Sequence, residues 1–324
     1  MKKHAALDPM SEALRSISGL QVKTGEPLAR HTSIRVGGAA DYFIEVLHES
    51  ALGQVLVVLK HHRVPFCLLG RGSNVLVSDR GIRGAVLCLG GRFNDIQWRE
   101  SRDQARITIG AAFPVARLVR RAVGKGFDGL EFAEGIPGSV GGALVMNAGA
   151  YGSEMEKVVS RVEGMTPEGL PVAFNRNELE FSYRRACLPP GTIVTRVELV
   201  LNRGEGRQAA HKVRELTRRR KNSQPSGYPN AGSMFRNPPG EFAGRLIEQA
   251  GLKGTRIGKA KISERHANFI VNLGGASAED VRRLMDLARV EVKNKCGIQL
   301  EPEVQFLGEW MDGEAGEQVE SRTG

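Results

Sequence analysis

Eighteen residues in the middle of the chain, Gly135–Gly152, contain six glycines, one proline and no charged side chain. Glycine adopts positive φ angles and lets a backbone approach a bound group closely, whereas a core strand gains nothing from six of them. Successive backbone N–H groups in such turns form concave sites for anions. The segment therefore predicts a surface for a large phosphorylated ligand, the alternative being a glycine-rich loop that binds nothing.

The size and composition of the chain predict a globular protein of two or three domains. Its 324 residues are 41% hydrophobic and 25% charged, which favours a well-buried core over general disorder. Only the two ends have the composition of unstructured segments. We therefore expect flexible termini at residues 1–18 and 308–324.

Cysteine spacing and hydropathy exclude several classes of protein. The cysteines lie far apart, at Cys67, Cys88, Cys187 and Cys296, and they form neither a zinc signature nor a disulfide framework. No apolar run reaches the length of a membrane span, and the N-terminus lacks the apolar stretch of a signal peptide. These features predict a cytoplasmic protein with no metal site and no membrane insertion.

A net charge of +10 raises the question of nucleic-acid binding. The basic residues are widely spread, aromatic residues are few, and no nucleic-acid module is recognisable. The one dense basic cluster is Arg218-Arg219-Arg220-Lys221, which suits a nucleotide diphosphate at least as well as a polynucleotide. A solvated helix face is the ordinary alternative for such a run. We expect no nucleic-acid partner.

Helical and strand patterns alternate in the first half of the chain. Apolar residues recur at helical spacing within residues 49–62, and the run Val64–Leu69 is typical of a strand. It leads into Gly70-Arg71-Gly72-Ser73-Asn74, a tight turn with free amides, and then into another apolar run. A dinucleotide fingerprint would need a third glycine where Val75 stands, followed by a helix. The turn is therefore a phosphate-loop candidate of another kind.

The second half continues the mixed pattern and then changes in texture near residues 204–210, where we place a domain boundary. A basic helix is predicted at residues 209–222. The last long helix is predicted to begin after Ser277, with Asp280 three residues on, and to end at Gly297. Further elements are expected as strands at 106–110, 158–165 and 192–202 and an amphipathic helix at 113–123.

Two polar groups after the glycine segment are candidates for chemistry. Arg184 lies in Phe181–Arg185, behind an apolar run, and Ser233 lies in the turn-forming segment Asn230–Pro239. The ordinary alternative for Arg184 is a surface ion pair. For Ser233 it is a loop hydroxyl that bonds to its own backbone.

A third polar group is the strand pattern Leu300–Phe306, which carries Glu301 and Glu303 on one face. Glycosidase chemistry needs carboxylates on opposite sides of a sugar, and neighbours on one strand do not provide them. We therefore expect one functional acid and one solvated acid.

Seven short motifs follow one another along residues 20–307. Any one of them is weak, but seven in order are very specific. They are Arg30–Gly38, Gly70–Leu76, Gly135–Gly142, Asn147–Gly152, Ser182–Arg184, Asn230–Ser233 and Leu300–Val304. In these motifs the chain resembles the UDP-N-acetylenolpyruvoylglucosamine reductase family of bacterial peptidoglycan-precursor synthesis.

The resemblance implies an α+β fold, with a vanillyl-alcohol-oxidase-type FAD-binding domain of two subdomains and a smaller C-terminal α+β substrate domain. We expect the FAD-binding domain at residues 19–207, divided at about 88, and the C-terminal domain at 208–307. Residues 185–207 are too few for the tyrosine-bearing insertion of some members, so the chain resembles the compact subtype. We also expect a monomer.

The resemblance further implies FAD, bound without a covalent link, and NADPH as hydride donor. In the family, the segments that match residues 70–74 and 135–142 lie along the FAD pyrophosphate, where free amides would meet negative charge. The residues expected to bind FAD are Gly70, Arg71, Gly72, Ser73, Asn74, Gly135, Ile136, Pro137, Gly138, Ser139, Gly142, Ala143, Asn147 and Gly149.

The implied reaction passes a hydride from NADPH through FAD to the enolpyruvyl ether of UDP-N-acetylglucosamine enolpyruvate. Arg184 and Glu303 match the residues that stabilise the resulting charge, with the glutamate protonated through a raised pKa. Ser233 matches the proton donor, which needs a closed site with little solvent. Contacts with substrate or diphosphate are expected at Tyr183, Arg218, Lys221, Asn237 and His266.

Two other functions remain open at this stage. One is a flavin oxidase of the same fold that acts on an alcohol, although nothing in the sequence matches its active-site half. The other is a basic module that binds nucleotides or RNA.

Overall fold

The structure is a computed structural model that describes residues 9–204 and 206–310. These residues form helices and three main sheets, which pack around several hydrophobic clusters. The helices are α1 (Pro9–Ser16), α2 (Glu49–His61), α3 (Val115–Gly124), α4 (Val140–Val145), α5 (Gly206–Ser223), α6 (Ala243–Gln249) and α7 (Ala278–Cys296).

The strands are β1 (Leu20–Pro27), β2 (Ala39–Val46), β3 (Phe66–Leu68), β4 (Val75–Val77), β5 (Ile82–Leu89), β6 (Ile96–Glu100), β7 (Gln104–Gly110), β8 (Phe127–Asp128), β9 (Gly149–Ala150), β10 (Ser153–Glu154), β11 (Val159–Met165), β12 (Pro171–Asn175), β13 (Glu180–Ser182), β14 (Arg185–Cys187), β15 (Ile193–Arg203), β16 (Asn230–Ser233), β17 (Arg256–Ile257), β18 (Ala260–Ile262), β19 (Phe269–Asn272) and β20 (Gln305–Leu307).

The first subdomain is a four-stranded sheet in the order β1-β2-β5-β3. β2, β5 and β3 run parallel, and β1 closes the edge as an antiparallel strand. α2 covers this sheet with a buried face of Leu52, Val55, Leu56 and Leu59, as the helical spacing predicts. Because β3 ends at Leu68, the chain emerges at the sheet edge directly into the glycine turn of residues 70–74.

The prediction of a flexible N-terminus is wrong for residues 9–18. α1 buries Met10 and Leu14 in the core that also contains Leu52 of α2. An eight-residue helix has little stability by itself and forms here through packing, which its short sequence pattern does not reveal. Residues 1–8 and 311–324, also predicted to be flexible, lie outside the described residues.

The second subdomain is an antiparallel sheet in the order β12-β11-β15-β7-β6, with β8 paired to the end of β15. α3 and α4 pack on this sheet, and their apolar residues join those of β7 and β15 in one core. The glycine segment lies here: its first part is a loop that leads into α4, and its last part contains β9. The segment therefore lies on the side of the second subdomain that carries α4.

The C-terminal domain has the sheet β16-β19-β18-β17, packed against α6 and α7. α7 has the predicted boundaries. The Ser277 hydroxyl caps its N-terminus by accepting a hydrogen bond from Asp280 N, and Gly297 ends it with φ +70°. The sequence signals for a capping box and a left-handed C-cap are thus confirmed.

The first subdomain and the C-terminal domain share one hydrophobic core. Ile34, Val36 and Leu76 pack among residues of α6 and α7. β4 pairs in parallel with β20, and the Asn272 side chain donates to the carbonyl of Ile34 at 3.0 Å. Movement of the C-terminal domain away from the first subdomain would expose this core.

Asp79 fastens this interface at the N-terminus of α7. Its carboxylate accepts hydrogen bonds from the backbone N–H groups of Ala278 and Glu279, at 2.8 and 3.0 Å. A carboxylate at this position satisfies amides that have no partner within the helix and complements the helix dipole. It therefore ties the first subdomain to α7 by polar contacts in addition to the shared core.

We expect Asp79→Ala to lower the free energy of unfolding by about 1–3 kcal/mol, because two charge-assisted hydrogen bonds are lost. The measurement is thermal or urea unfolding, with Asp103→Ala as the control at an exposed aspartate. A loss no larger than that of the control would show that the capping contact does not hold the two parts together.

Candidate active site

The glycine turn of residues 70–74 and the loop of residues 135–139 meet at close range. The Ser73 hydroxyl donates to the carbonyl of Pro137 at 3.3 Å. A Cβ atom on Gly138 would lie 3.1 Å from the Ser73 hydroxyl, and one on Gly70 would lie 3.0 Å from the Ser139 hydroxyl. A side chain at either position would be tightly placed against a serine hydroxyl, and Gly138 also has φ +123°, a conformation that favours glycine.

Gly72 lies at a second close backbone approach, to the segment that precedes β2. Its φ is +61°, and a Cβ atom there would lie 2.0 Å from the backbone oxygen of His31. Among the described residues, none accepts a hydrogen bond from the backbone N–H groups of residues 70–74. Five successive amides without an internal acceptor fit an anionic group such as a diphosphate.

The remaining predicted FAD residues divide by exposure. Arg71, Gly135, Pro137 and Gly142 are exposed, and Ile136 and Gly149 are half-buried. Ser139 and Ala143 are buried, and the Ser139 hydroxyl caps α4 by accepting from Gly142 N at 3.4 Å. The exposed set leaves a surface open to a ligand, while the buried pair shapes the loop behind it.

The side chains of Asn74 and Asn147 make their contacts within the protein. Asn74 donates to the carbonyl of Glu303 at 3.0 Å, which links the glycine turn to the last segment of the chain. Asn147 has no exposed surface. This geometry does not support the predicted contact between Asn147 and the cofactor, since no part of the side chain is left to meet a ligand.

Arg220 is the cation of the basic helix that reaches the glycine loop, and the sequence prediction missed it. Its Nη1 donates to the carbonyl of Glu134 at 2.9 Å, and its Cδ would crowd a Cβ atom on Gly135 at 2.8 Å. Burial lowers the pKa of Arg220, while Tyr151 and Glu134 oppose this shift and the nearby Arg184 adds to it. The predicted Arg218 and Lys221 are exposed. Helical spacing from the buried Leu216 could have identified Arg220.

Arg184 stands at the tip of the hairpin formed by β13 and β14, with φ +60°. Its guanidinium donates through Nη1 to the carbonyl of Gly149 at 2.9 Å. Nε lies 3.0 Å from Oε1 of Glu303. The left-handed conformation costs a non-glycine residue about 1–3 kcal/mol, and such strain concentrates at functional sites.

Both backbone polar groups of Glu303, its N–H and its carbonyl, are hydrogen-bonded. Its N–H donates to the carbonyl of Met234 at 2.8 Å, and its carboxylate is only 15% exposed. Burial raises the pKa of Glu303, while the neighbouring Arg184 and Arg236 oppose this effect. The pKa of the carboxyl group is therefore shifted upward, in the direction that the family resemblance implies for this glutamate.

The predicted strand over residues 300–306 is wrong in its first part. β20 begins only at Gln305, and before it Pro302 makes an isolated bridge to Phe235. Proline has no N–H group to donate to a ladder, which interrupts regular pairing here. Glu301 is exposed whereas Glu303 lies beside Arg184, so Glu301 is the solvated acid of the pair, and the functional role expected for the other acid stays a prediction for Glu303.

Ser233 ends β16, opposite Phe269 of β19. The side chain is half-buried, and its hydroxyl has no hydrogen-bond partner among the described residues. The next residue, Met234, accepts the N–H of Glu303. The fold thus brings Ser233 from the C-terminal domain near the Arg184–Glu303 pair, with a hydroxyl free to act on a ligand.

The predicted substrate residues of this region are less closely gathered. Tyr183 is 50% exposed and lies under the Arg184 guanidinium, 5.2 Å from ring centre to Cζ. Asn237 accepts from Ala243 N at 3.1 Å and so caps α6. His266 packs edge-on against Phe269, and burial lowers its pKa. No contact among the described residues joins Asn237 or His266 to Arg184 or Glu303.

Within residues 9–204 and 206–310, no three His, Cys, Asp or Glu side chains cluster in a way that could hold a metal ion. In the same part of the chain, no helix combines the length and apolar character needed to cross a membrane.

Family comparisons match both halves of this architecture. A model of the FAD binding domain matches residues 40–175, and one of the UDP-N-acetylenolpyruvoylglucosamine reductase C-terminal domain matches residues 224–307. The free amides of residues 70–74 fit the diphosphate of such a cofactor. The fold and the site therefore define an FAD-dependent oxidoreductase with a separate C-terminal domain, which confirms the predicted fold class and cofactor.

UDP-N-acetylenolpyruvoylglucosamine reductase 2 of Symbiobacterium thermophilum is 44% identical over 93% of this chain and 98% of its own length. The chain belongs to the UDP-N-acetylenolpyruvoylglucosamine reductase family. The reductase of Anaeromyxobacter sp. (strain Fw109-5) is 44% identical over 94% of this chain and 93% of its own. The crystal structure of UDP-N-acetylenolpyruvylglucosamine reductase from Thermus caldophilus is 37% identical, covers 89% of this chain and 98% of that one, and superposes with a TM-score of 0.75.

Proposed function

We propose that the protein reduces the enolpyruvyl ether of UDP-N-acetylglucosamine enolpyruvate to UDP-N-acetylmuramate in the cytoplasm, with NADPH as the reductant. The observation that carries the proposal is the half-buried Arg184–Glu303 pair, with Nε and Oε1 3.0 Å apart, together with Ser233, whose neighbour Met234 accepts the N–H of Glu303. An alcohol oxidase would need a base for its substrate, whereas this site offers a cation, an acid and a proton donor. The match to the C-terminal domain of the reductase family supports the same choice.

The glycine turn and loop are proposed to hold the cofactor. When bound there, FAD would supply hydride transfer from NADPH to the enolpyruvyl group. The amides of residues 70–74 would receive its diphosphate, because they face no acceptor of their own. Arg220 stiffens the neighbouring loop by its bond to Glu134, and its cation adds favourable charge there.

Arg184 and Glu303 are proposed to stabilise the charge that develops on the substrate. Hydride addition to the methylene carbon places an electron pair on the adjacent carbon, which is conjugated with the substrate carboxylate. A guanidinium and a protonated carboxyl group can both donate hydrogen bonds to that charge. Burial raises the pKa of Glu303, which favours the protonated form that this role requires, while Arg184 and Arg236 oppose the shift.

Ser233 is proposed to complete the reaction by giving its proton to this carbon. A serine hydroxyl is a weak acid, so transfer requires a strongly basic partner in contact with it and little competing water. Among the described residues, no group accepts a hydrogen bond from the Ser233 hydroxyl, so no such bond has to be broken first. Because the C-terminal domain shares its core with the first subdomain, both would close together over the second subdomain.

Substrate contacts are proposed from exposure and charge. Tyr183 and the cations of Arg218 and Lys221 are open to a nucleotide diphosphate. Asn237 and His266 make no direct contact with Arg184 or Glu303 among the described residues. We retain them as candidates for the uridine or sugar end of the substrate.

The raised pKa of Glu303 predicts the pH dependence of the substrate-reducing step. The step should be fast while Glu303 is protonated and should slow as the pH rises through its raised pKa. Glu303→Gln keeps a hydrogen-bond donor at every pH and should remove this decline, at a lower overall rate. The rate of flavin reoxidation by substrate, measured from pH 5 to pH 10 in steps of about one unit, checks the prediction.

The same raised pKa has a consequence for stability. The protonated carboxyl contributes fully below the ordinary carboxyl pKa, and its contribution is lost as the pH rises through the folded-state value. Glu303→Gln should therefore flatten the pH dependence of the unfolding temperature over that window. Glu301→Gln, at the exposed neighbour, is the matched control. An unchanged decline in Glu303→Gln would assign the titration to another group.

The reaction itself is tested with purified protein, NADPH and UDP-N-acetylglucosamine enolpyruvate. We expect NADPH oxidation to depend on the enolpyruvyl compound and the product to gain two hydrogens by mass spectrometry. UDP-N-acetylglucosamine, which lacks the reducible group, is the control substrate. Equal NADPH oxidation with both compounds, or with oxygen alone, would contradict the proposal.

A further inference from the structure

We propose that Asn147 is a positioning residue for Arg184, which it serves by fixing the arginine hairpin next to its turn; the role rests on the proposed function. The hairpin is the segment 180–187, formed by β13, the turn Tyr183-Arg184 and β14. Asn147 lies in the last part of the glycine segment. It touches the hairpin one residue before the turn and does not reach the surface.

Both polar ends of the Asn147 side chain are bound. Nδ2 donates to the carbonyl of Ser182 at 3.1 Å, and Oδ1 accepts from the N–H of Glu156 at 3.0 Å. The reverse orientation of the amide would place oxygen against the carbonyl and nitrogen against the N–H, so the assignment is fixed by its partners. Because the side chain is fully buried, losing either bond leaves an unpaired polar group.

The second bond leads back to the same hairpin. The Glu156 carboxylate is 2.6 Å from Nη2 of Arg176. Arg176 donates through Nη1 to the carbonyl of Leu179 at 3.0 Å, and its guanidinium lies 4.9 Å from the ring centre of Phe181. Asn147 therefore contacts the hairpin directly at Ser182, and Glu156 and Arg176 link it to Phe181 of the hairpin and to Leu179, the residue before it.

The arginine itself is anchored on the same stretch of chain. Its Nη1 donates to the carbonyl of Gly149, two residues after Asn147. Residues 147–149 thus hold the hairpin next to its turn, at Ser182, and the Arg184 side chain at its guanidinium. Arg184 has a left-handed backbone, which persists only where its surroundings hold it in place. Asn147 also has a positive φ, +37°, which asparagine tolerates better than most residues.

The test uses two variants that keep this backbone accessible. Asn147→Asp replaces the Nδ2 donor by an oxygen that repels the Ser182 carbonyl, and Asn147→Gly removes both bonds without adding charge. We expect reoxidation of the reduced flavin by UDP-N-acetylglucosamine enolpyruvate to slow by about 10²-fold, the effect of a small displacement of a catalytic group. Flavin content and the rate of flavin reduction by NADPH should remain as in the parent protein.

A double-mutant cycle with Arg184→Ala separates positioning from general damage. If Asn147 acts through Arg184, Asn147→Gly in the Arg184→Ala background should cause no further loss of the reoxidation rate. Asn272→Asp, at a buried asparagine of the interface between the first subdomain and the C-terminal domain, is the control for lost stability. It should lower the unfolding temperature without the selective loss of reoxidation.

Three results would overturn the proposal. They are losses that multiply in the double variant, loss of flavin with a normal reoxidation rate per bound flavin, and a normal rate in both Asn147 variants while Arg184→Ala is slow. The last result would leave the proposed function intact. If Arg184→Ala itself reoxidised at the parent rate, the role proposed for Arg184 would fail, and the role of Asn147 with it.

Discussion

Ser233→Ala is expected to slow reoxidation of the reduced flavin by UDP-N-acetylglucosamine enolpyruvate by about 10²- to 10⁴-fold, the usual contribution of a positioned proton donor. The reason is geometric as well as chemical. The Ser233 hydroxyl has no hydrogen-bond partner among the described residues. Ser233 ends β16, and the next residue, Met234, accepts the N–H of Glu303. NADPH should still reduce the flavin at the parent rate, because Ser233 is proposed to act only after hydride transfer.

Rapid mixing of reduced protein with substrate measures this step directly. Ser226→Ala, in the exposed loop before β16, is the matched control and should behave as the parent protein. If Ser233→Ala turned over normally, the proton would have to come from another group or from water. A loss confined to flavin reduction would place Ser233 in the nicotinamide step instead.

Arg184→Lys is expected to lower the rate of the same step by about 10²- to 10³-fold, comparable to removing one donor from an oxyanion site. The guanidinium reaches two partners at once, with Nη1 on the carbonyl of Gly149 and Nε beside Glu303. A lysine ammonium is a single point charge and cannot span both positions. Retaining the positive charge therefore does not retain the geometry.

Arg185→Lys is the control for this substitution, since Arg185 is the next residue of the hairpin and its side chain is exposed. We expect kcat to fall in Arg184→Lys, with a smaller change in KM, because the lost contact stabilises charge that exists only during the reaction. A rise in KM with an unchanged kcat would instead make Arg184 a residue for binding the ground state.

Local signals in the sequence predicted several elements well. The boundaries of α7 could be predicted because its capping box and its terminal glycine are short-range features that decide their own conformation. The helical spacing of α2 was equally informative, since a face of four apolar residues has to meet the sheet. The candidate catalytic residues came from ordered motifs, and Arg184 and Glu303 do meet in the structure.

Long-range contacts account for what the sequence did not reveal. The choice of Arg220 over Arg218 and Lys221 depends on which face of α5 meets the glycine loop. The role of Asn147 depends on a hairpin 35 residues away. The sharing of one core by Ile34, Leu76 and the C-terminal domain joins residues from opposite ends of the chain. None of these pairings leaves a pattern within a single segment.

The most direct test of the central claim is anaerobic mixing of NADPH-reduced protein with UDP-N-acetylglucosamine enolpyruvate, followed by the flavin absorbance. The account predicts that the substrate alone restores the yellow oxidised spectrum and that UDP-N-acetylmuramate forms in equal amount to the flavin. A flavin that stays reduced until oxygen is admitted, or a purified protein with no flavin spectrum, would contradict it.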